Sequence, residues 1–344
     1  MSQLAARWCR HHEVHLLTWA LPETDRYSVP SQVIRHGFDL LRHSRHWWQG
    51  VWANWQRVHA LRGKMFELQP DLVLSFTDQV NIVTLQAARG GLCPVWIAEH
   101  SDPRHQRLRG GWELWRRRMY PRAAGCVVLT DSIAQHMAQW VPTDRIRVIP
   151  AAVADVPAGV RCGVEEHRQQ IVFVGRLSEE KGVDRLVEAW KRIANRLTDW
   201  KLTIVGDGRL RGALERQAEG VPRVEFRGWL DDPTTVYRQG GIFVLPSRYE
   251  GFPVALLEAM SYGLPCVVTR CTDAVDLLEG GGTALEVIEP DAGALADRLL
   301  VLVRDTERRA ILADRGAAIA ARYQWRHIGP MWDQLLDAHA SLQR

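Results

Sequence analysis

Several motifs that define large enzyme classes are missing from this sequence. It has no P-loop, no Gly-x-Ser-x-Gly and no Asp-x-Asp at a strand end that could hold a divalent metal. Residues 206–212, Gly-Asp-Gly-Arg-Leu-Arg-Gly, approach a dinucleotide fingerprint, but the third glycine comes one residue late. We therefore expect neither a metal nor another cofactor.

Cysteine pairs and long apolar runs are missing as well. The six cysteines form no Cys-x-x-Cys pair, and Cys93, Cys126 and Cys266 lie in or beside apolar runs. This pattern argues against a zinc site or a disulfide framework and favours free thiols in a reducing compartment. No run is long enough for a transmembrane helix, and the first residues lack the apolar segment of a signal peptide. We expect a cytoplasmic protein.

The charge and the aromatic residues are concentrated differently in the two parts of the chain. Its 344 residues, 46% hydrophobic and 24% charged, suffice for two globular domains. Residues 1–165 contain 20 Lys and Arg against 14 Asp and Glu, a net of +6, whereas the remainder contains 24 against 26, a net of −2. The first part also has 10 of the 15 tryptophans. A basic, aromatic part could meet nucleic acid, an anionic membrane or an anionic substrate, and charge alone does not choose among them.

Apolar runs that end in loop residues alternate with segments of helical periodicity. This alternation predicts parallel sheets with right-handed crossovers, the α/β class. The stretch 151–170, with Pro157, Gly159 and Gly163, predicts a linker. We divide the chain into domains over 1–165 and 166–325 and a C-terminal helix over 326–344. Predicted strands begin at residues 13, 71, 94, 126, 147, 171, 201, 224, 241 and 265.

Two carboxylates follow the strand predicted at 241–245. Glu250 falls in the next loop, and Glu258 lies about a turn and a half into a helix predicted to begin at Pro253. Parallel sheets bind ligands at this end of their strands, and paired carboxylates suit a polyhydroxylated ligand. The helix start could receive an anion or a sugar oxygen. Taken singly, Glu250 could be a solvated loop residue, and Glu258 could simply favour the first helical turns.

Two cations flank the loop after the strand predicted at 171–175. Arg176 offers a planar guanidinium and Lys181 an ammonium, and together they could hold a diphosphate. Alternatively they pair with Glu179, Glu180 or Asp184, and the residues alone do not decide between the two interpretations.

Residues 38–65 form a strongly amphipathic segment. We expect its apolar face in the core: Leu41, Trp48, Val51, Trp52, Trp55, Val58, Leu61 and Met65. The opposite face of the segment contains Arg42, His46, Arg57 and Lys64, which could be solvated or could bind phosphates. The arginine-rich segment 104–122 is compatible with a surface helix or with contact to an anionic membrane.

A polar cluster, Glu99-His100-Ser101-Asp102, ends the strand predicted at 94–98. His100 therefore occupies the position of a ligand-site residue, although a lone histidine is more often structural.

Motifs in a fixed order give the second half a family resemblance. Residues 173–182, 205–208 and 247–260, with Glu250 and Glu258 as a Glu-x7-Glu pair, resemble the successive motifs of the family-four, GT-B retaining glycosyltransferases. Residues 4–18, Ser75-Phe76 and 99–102 resemble the family more loosely and look like members acting on lipid-linked oligosaccharides.

The resemblance implies two Rossmann-like domains with parallel sheets facing across a cleft, and a C-terminal helix that crosses back to the first domain. It also implies a nucleotide-sugar donor, expected to be a UDP-sugar, bound without a metal. Glu258 would then bind ribose hydroxyls and Glu250 the sugar hydroxyls. Arg176 and Lys181 would bind the diphosphate, and His100 would lie near the anomeric carbon. The wider donor set comprises Gly175, Gly206, Trp229, Leu230, Gly251, Phe252 and Pro253.

The implied acceptor is a lipid-linked saccharide or polysaccharide precursor at the inner face of the cell membrane, with no nucleic acid as partner. The transferred group would be hexosyl or N-acetylhexosaminyl. The acceptor or membrane residues would be Arg42, His46, Arg57, Lys64 and Glu99.

One departure from the family pattern concerns the first domain. Family members begin with a strand and a glycine-rich loop, whereas this sequence begins in the helix that follows them. We therefore expect a first domain without its first strand, and a truncated start in preference to a genuine loss, because removing a buried parallel strand leaves backbone groups unpaired. An inactive nucleotide-sugar-binding protein and a GT-B nucleotide-sugar epimerase remain as alternatives.

Overall fold

The computed structural model describes residues 1–24, 29–41, 47–106, 108, 110–156 and 169–342. Its contacts divide the chain into two units, Met1–Ile149 and Pro150–Arg344. Arg42, His46 and most of the predicted linker lie outside the described residues. The domain boundary after residue 165 and the crossing of the C-terminal helix to the first domain stay predictions.

The first unit alternates strands and helices as the sequence predicts. In one of its parallel sheets β1 pairs with β2, and in the other the strand order is β3-β4-β5-β6. Helices α3 and α5 pack against the four-stranded sheet, whose strands β4 and β5 are buried along their whole length. The elements are α1 (Ser2–Trp8), β1 (His15–Thr18), β2 (Ile34–Gly37), α2 (Trp47–Leu68), β3 (Val73–Phe76), α3 (Asp78–Ala87), β4 (Val95–Glu99), α4 (Trp112–Met119), β5 (Gly125–Val128), α5 (Asp131–Met137) and β6 (Ile146–Val148).

Helix α2 corrects the prediction that its apolar face lies in the core. Leu61 and Met65 are buried, at 5% and 2% exposure. Val51, Trp52 and Trp55 are instead 62%, 55% and 57% exposed, and Leu41 before the helix is exposed as well. The apolar face is wider than the surface that packs against neighbouring elements, so its N-terminal half remains at the surface.

The second unit contains a six-stranded parallel sheet in the order β12-β11-β10-β7-β8-β9. The chain adds β8 and β9 on one side of β7 and then returns to add β10 on the other side, which makes the β7–β10 boundary a topological switch point. The elements are β7 (Gln170–Val174), α6 (Val183–Ile193), β8 (Lys201–Val205), α7 (Arg211–Gln217), β9 (Val224–Gly228), α8 (Thr234–Gln239), β10 (Ile242–Leu245), α9 (Val254–Ser261), β11 (Cys266–Thr269), α10 (Asp273–Glu279), β12 (Glu286–Ile288), α11 (Ala292–Arg304), α12 (Thr306–Ala320) and α13 (Trp325–Leu342).

The core of this second unit is mainly aliphatic and includes a few large aromatic residues. Trp190 of α6 is fully buried and donates its indole N–H to the carbonyl oxygen of Pro222 at 3.0 Å. Leu186 and Leu299, from α6 and α11, are buried in the same cluster with Ile171 of β7. This packing holds the sheet rigid beneath the loops at its carboxyl edge.

Two helices of the described residues are long enough to be considered as membrane spans. Helix α2 has 22 residues and α13 has 18. Across the described ranges, no helix combines the length and the apolar character needed to cross a membrane.

Candidate functional site

The loops after β7 and β10 lie against each other at the switch point of the second sheet. The backbone N–H of Arg248 donates to the carbonyl oxygen of Glu180 at 2.7 Å. The Arg248 guanidinium also donates to both carboxylate oxygens of Asp184, at 2.8 and 2.6 Å. These bonds fix the two loops relative to each other, at the sheet edge where parallel folds bind ligands.

Two glycines let the backbones of neighbouring loops approach closely. Gly182 has φ +64°, and a Cβ there would come within 2.1 Å of the carbonyl oxygen of Pro246. Gly206 has φ +129°, and a Cβ there would come within 1.8 Å of the carbonyl oxygen of Gly175. Only glycine fits both the left-handed backbone and the close contact, so these positions bring together the loops after β7, β8 and β10.

Glu250 is held by side chains from both loops. Lys181 Nζ donates to its two carboxylate oxygens at 2.7 and 2.9 Å, and Ser247 Oγ donates to Oε1 at 2.7 Å. The Glu250 backbone N–H donates to the carbonyl oxygen of Cys271 at 3.2 Å. With only 9% of the residue exposed, Glu250 is not a solvated loop residue. The ammonium and the hydroxyl offset the cost of taking its carboxylate out of water.

The two predicted diphosphate cations differ in their surroundings. Lys181 bonds to Glu250 and not to any of the three acids considered as alternative partners. Those acids bind other groups: Glu179 pairs with Arg209, Glu180 accepts from Ser178, and Asp184 pairs with Arg248. Arg176 is exposed, and no hydrogen bond or ion pair links its guanidinium to another described residue. Its guanidinium is therefore not neutralised by an acid of the described residues.

Glu258 lies in α9, which begins at Val254 with Pro253 as its N-cap, one residue later than predicted. The phenol of Tyr237 donates to Glu258 Oε2 at 2.8 Å. Burial raises the pKa of Glu258, and the hydrogen bond from Tyr237 partly opposes this shift. Tyr237 is itself buried and stacks on Tyr262, with ring centroids 5.8 Å apart.

The remaining predicted donor residues lie around this centre. Among the described residues, nothing accepts from the backbone N–H groups of Gly251 and Phe252. The Phe252 side chain is buried, with its ring centroid 5.7 Å from that of Tyr323. Leu230 packs on the core cluster of the sheet, whereas Trp229 is exposed and donates its indole N–H to Asp231 at 3.1 Å.

Glu99 of the first unit is completely buried. Its carboxylate accepts from Ser101 Oγ at 2.5 Å and from the phenol of Tyr120 at 2.7 Å. Burial raises the pKa of Glu99, and the two hydrogen bonds partly oppose this. Direct contact of this carboxylate with an acceptor or membrane would require this network to open.

His100 follows β4 at the carboxyl edge of the first sheet. Its ring lies beside that of Phe76, with centroids 5.4 Å apart. His100 is exposed at the surface, yet the surrounding protein desolvates the imidazole and lowers the pKa of His100 to about 4. The positive amino group of Met1 contributes to the lowered pKa. His100 is thus a neutral imidazole at neutral pH.

The described members of the predicted basic face do not form a continuous solvated stripe. Arg57 donates to the carbonyl oxygen of Leu40 at 3.2 and 2.9 Å, and its guanidinium lies 6.0 Å from the ring centroid of Trp19. Lys64 pairs with Glu67 at 2.6 Å. Both cations are engaged within the first unit, and Arg42 and His46 lie outside the described residues.

Two family models match adjoining parts of the chain. Residues 1–155 match glycosyltransferase family 4, and residues 168–305 match the glycosyl transferases group 1. Both models describe glycosyltransferases and together they span most of the chain, which is therefore a glycosyltransferase. It is 25% identical over 342 residues to a Campylobacter jejuni alpha-1,4-N-acetyl-D-galactosaminyltransferase, covering 97% of this chain and 92% of the relative. The full name of that relative gives its acceptor as GalNAc-GalNAc-diNAcBac-PP-undecaprenol.

Solved structures show the same GT-B fold. Sucrose-phosphate synthase of Thermosynechococcus elongatus superposes with a TM-score of 0.79 at 19% identity, covering 98% of this chain and 92% of that one. HepE of Anabaena, in complex with UDP and glucose, superposes with a TM-score of 0.70 at 18% identity, covering 91% of this chain and 86% of that one.

Two residues that hold the glutamates of this glycosyltransferase, Ser247 and Tyr237, were not predicted from the sequence. Ser247 lies within the motif that contains Glu250, so it could have been proposed as a hydrogen-bond donor. Tyr237 lies in α8, outside every motif, and gave no signal beyond an apolar position. The pairing of Arg248 with Asp184 joins residues too far apart in sequence to be matched by spacing.

Proposed function

We propose that this glycosyltransferase moves a hexosyl or N-acetylhexosaminyl group from a UDP-sugar to a lipid-linked or polysaccharide-precursor acceptor. We further propose retention at the anomeric carbon, no requirement for a metal, and a peripheral position at the cytoplasmic face of the cell membrane. The acceptor class is supported by the Campylobacter relative and the UDP donor by the HepE complex. The observation that carries the donor half is the contact of Lys181 with Glu250 at the switch point.

The contact between Lys181 and Glu250 suits the charges that develop in glycosyl transfer. Breaking the bond to the leaving group puts negative charge on the diphosphate and positive charge on the sugar ring. In the proposed complex Arg176 and Lys181 stabilise the first charge, while Glu250 lies beside the sugar hydroxyls. An ammonium has three N–H donors, so Lys181 can keep a bond to Glu250 and still donate to a phosphate oxygen. Fixed cations of this kind stabilise the transition state without reorganising.

Glu258 is proposed to bind the ribose. Tyr237 donates to one of its oxygens at 2.8 Å and thereby fixes the carboxylate plane. The other oxygen is then positioned to accept from the two neighbouring hydroxyls of a ribose. The unpaired N–H groups of Gly251 and Phe252 are proposed to add donors for the diphosphate.

His100 is proposed to act on the acceptor side as a neutral group. With a pKa of about 4, it can donate one hydrogen bond and accept another, but it does not supply a positive charge at neutral pH. We therefore assign it to orienting hydroxyls near the anomeric carbon rather than to stabilising the diphosphate.

The membrane partner is supported by the surface of the first unit. Helix α2 exposes Val51, Trp52 and Trp55, and α4 exposes Trp115 and, three residues on along the same face, Arg118. Tryptophan favours the membrane interface, and arginine favours anionic headgroups. We propose that these helices face the bilayer that carries the acceptor, and that nucleic acid is not a partner.

A thermal-shift panel of UDP-, GDP- and ADP-sugars tests the donor. A ligand that binds only the folded protein raises Tm, so one UDP-sugar should do so for the wild type and much less for Glu258→Gln. That donor is then incubated with a lipid-linked saccharide, with and without EDTA, and the anomeric configuration of the product is measured. Conversion of the donor without an acceptor would identify an epimerase. Stabilisation without turnover would identify a binding protein.

A further inference from the structure

A cavity lies at the amino-terminal edge of the four-stranded sheet of the first unit. It has a volume of about 360 Å³, and its lining includes Val95 at the start of β4, Ala124 just before β5 and Arg145 just before β6. His100 lies at the opposite end of β4. With a rise of about 3.3 Å per residue, the five residues of β4 separate the two edges by roughly 16 Å. The cavity is therefore distinct from the carboxyl-edge positions assigned to glycosyl transfer.

Three arginines, Arg89, Arg122 and Arg145, line this cavity, and no acidic residue does. All three are exposed, and none forms a side-chain hydrogen bond or ion pair with another described residue. The nearby Arg62 is different, because it donates to the carbonyl oxygens of Ala87 and Arg89 at 2.7 and 2.6 Å and so fixes the backbone of the cavity rim.

Some arginines elsewhere in the chain pair with acids instead. Arg248 binds Asp184 and Arg308 binds Glu286, so each offsets the charge of a neighbouring acid. In the cavity the three positive charges reinforce one another's potential and have no internal counter-ion. Such a concave positive surface raises the local concentration of anions.

The chemistry of the lining indicates what kind of anion fits. Guanidinium groups match the oxygens of a phosphate with paired hydrogen bonds, which favours phosphate over a simple halide. Leu85 and Val95 add an apolar wall, and the volume is in the range of small-molecule sites. We propose that this cavity binds a phosphate-bearing anion, supplied either by a soluble phosphorylated compound or by a lipid headgroup. The proposal goes beyond glycosyl transfer and does not depend on it.

Cys93 provides a local reporter because its half-buried thiol lines the same cavity. Pyrophosphate also suits the proposed donor site, so a bulk binding measurement would not separate the two sites. Alkylation of Cys93 by iodoacetamide, followed by peptide mass spectrometry, reports on the cavity alone. Cys9 is the matched control, since it is a half-buried free thiol of the same unit that does not line the cavity.

Pyrophosphate should slow alkylation of Cys93 and leave Cys9 unchanged. At a concentration about ten times its Kd the expected effect is about tenfold, because the unliganded fraction falls as 1/(1+[L]/Kd). Replacing Arg89, Arg122 and Arg145 with Gln should abolish the protection. The triple variant Arg10→Gln, Arg196→Gln, Arg315→Gln removes the same charge from exposed arginines elsewhere and should retain it.

Vesicles distinguish the two sources of phosphate. Protection by phosphatidylglycerol vesicles, but not by phosphatidylcholine vesicles, assigns the site to a lipid headgroup, whereas protection by pyrophosphate alone assigns it to a soluble compound. The proposal is overturned if neither pyrophosphate nor phosphatidylglycerol slows Cys93 relative to Cys9. It is equally overturned if the cavity variant is protected as well as the wild type.

Discussion

Lys181 Nζ lies 2.7 and 2.9 Å from the two carboxylate oxygens of Glu250, across 69 residues of sequence. The contact joins the loops after β7 and β10, the two strands at the switch point of the second sheet. One ion pair therefore links the cation proposed for the leaving diphosphate to the carboxylate proposed for the sugar.

Removing Lys181 should reduce stability as well as activity. Lys181→Met leaves Glu250, only 9% exposed, without its counter-ion, and we expect a loss of about 3 kcal/mol in the free energy of unfolding. Lys201→Met is the matched control, because Lys201 and Glu225 are 43% and 41% exposed and their pair should contribute less than about 1 kcal/mol. Urea unfolding measures both, and equal losses would contradict a stabilising role for the pair.

Arg176→Gln should separate activity from stability. Because Arg176 is exposed and unpaired among the described residues, we expect the free energy of unfolding to change by less than about 0.5 kcal/mol. Loss of a cation that acts on the leaving group should lower kcat by about a hundredfold. Arg192→Gln, which removes an exposed arginine of α6 paired with Glu188, should keep wild-type turnover. Unchanged turnover in Arg176→Gln would remove this residue from the proposed mechanism.

Donor affinity should fall at mildly acidic pH because the pKa of Glu258 is raised by burial. The carboxylate takes up a proton at a higher pH than an ordinary glutamate, and the protonated form accepts hydrogen bonds poorly. By the same shift, the contribution of Glu258 to folding stability decreases as pH rises through its folded pKa. Calorimetric titration of the donor at several pH values measures the affinity, and Glu258→Gln should weaken binding and remove this part of the pH dependence.

Tyr237→Phe should move the same transition to higher pH. The substitution removes the hydrogen bond that lowers the pKa of Glu258 and keeps the ring stacked on Tyr262. Tyr262→Phe leaves the bond to Glu258 in place and serves as the control. Identical pH dependence of donor affinity in the two variants would show that Tyr237 does not tune the carboxylate.

His100 should titrate far below an ordinary histidine. Desolvation lowers its pKa to about 4, so a two-dimensional NMR titration of the ring should show no protonation near the usual value of about 6.5. Because the folded pKa is lowered, His100 contributes stability in full above the unfolded pKa of about 6.5. This contribution is lost as pH falls from there through the folded pKa of about 4. His100→Gln, which keeps a neutral hydrogen-bonding group, should retain more activity than His100→Ala. A ring that titrates near the usual value would contradict this assignment.

Local patterns predicted the parts of the molecule that depend on contiguous sequence. The order of strands, loops and helices placed Glu250 and Glu258 correctly, because one uninterrupted stretch builds the loop and the helix. The partners of these acids could not be predicted in this way, since Lys181 and Tyr237 come from other segments and meet them only through the sheet order. The short strands β2 and β12 were missed, because Ile34–Gly37 has a single large apolar residue and Glu286–Ile288 is only three residues long.

Helix α2 shows a second limit of prediction from sequence patterns. Periodicity identified its apolar face but not how much of that face its neighbours cover, and the uncovered half contains Trp52 and Trp55. If this half inserts into the membrane interface, the double variant Trp52→Ser, Trp55→Ser should bind phosphatidylglycerol vesicles at least about tenfold more weakly, since burying a large apolar side chain contributes about 1.5–3 kcal/mol.

Vesicle sedimentation measures this binding, and Leu277→Ser, at an exposed leucine of the second unit, is the control. Donor affinity should stay unchanged in the double variant, because the proposed donor residues all belong to the second unit. Equal vesicle binding by the double variant and the wild type would exclude α2 as the membrane contact. It would leave the arginine-bearing face of α4 as the surface to test.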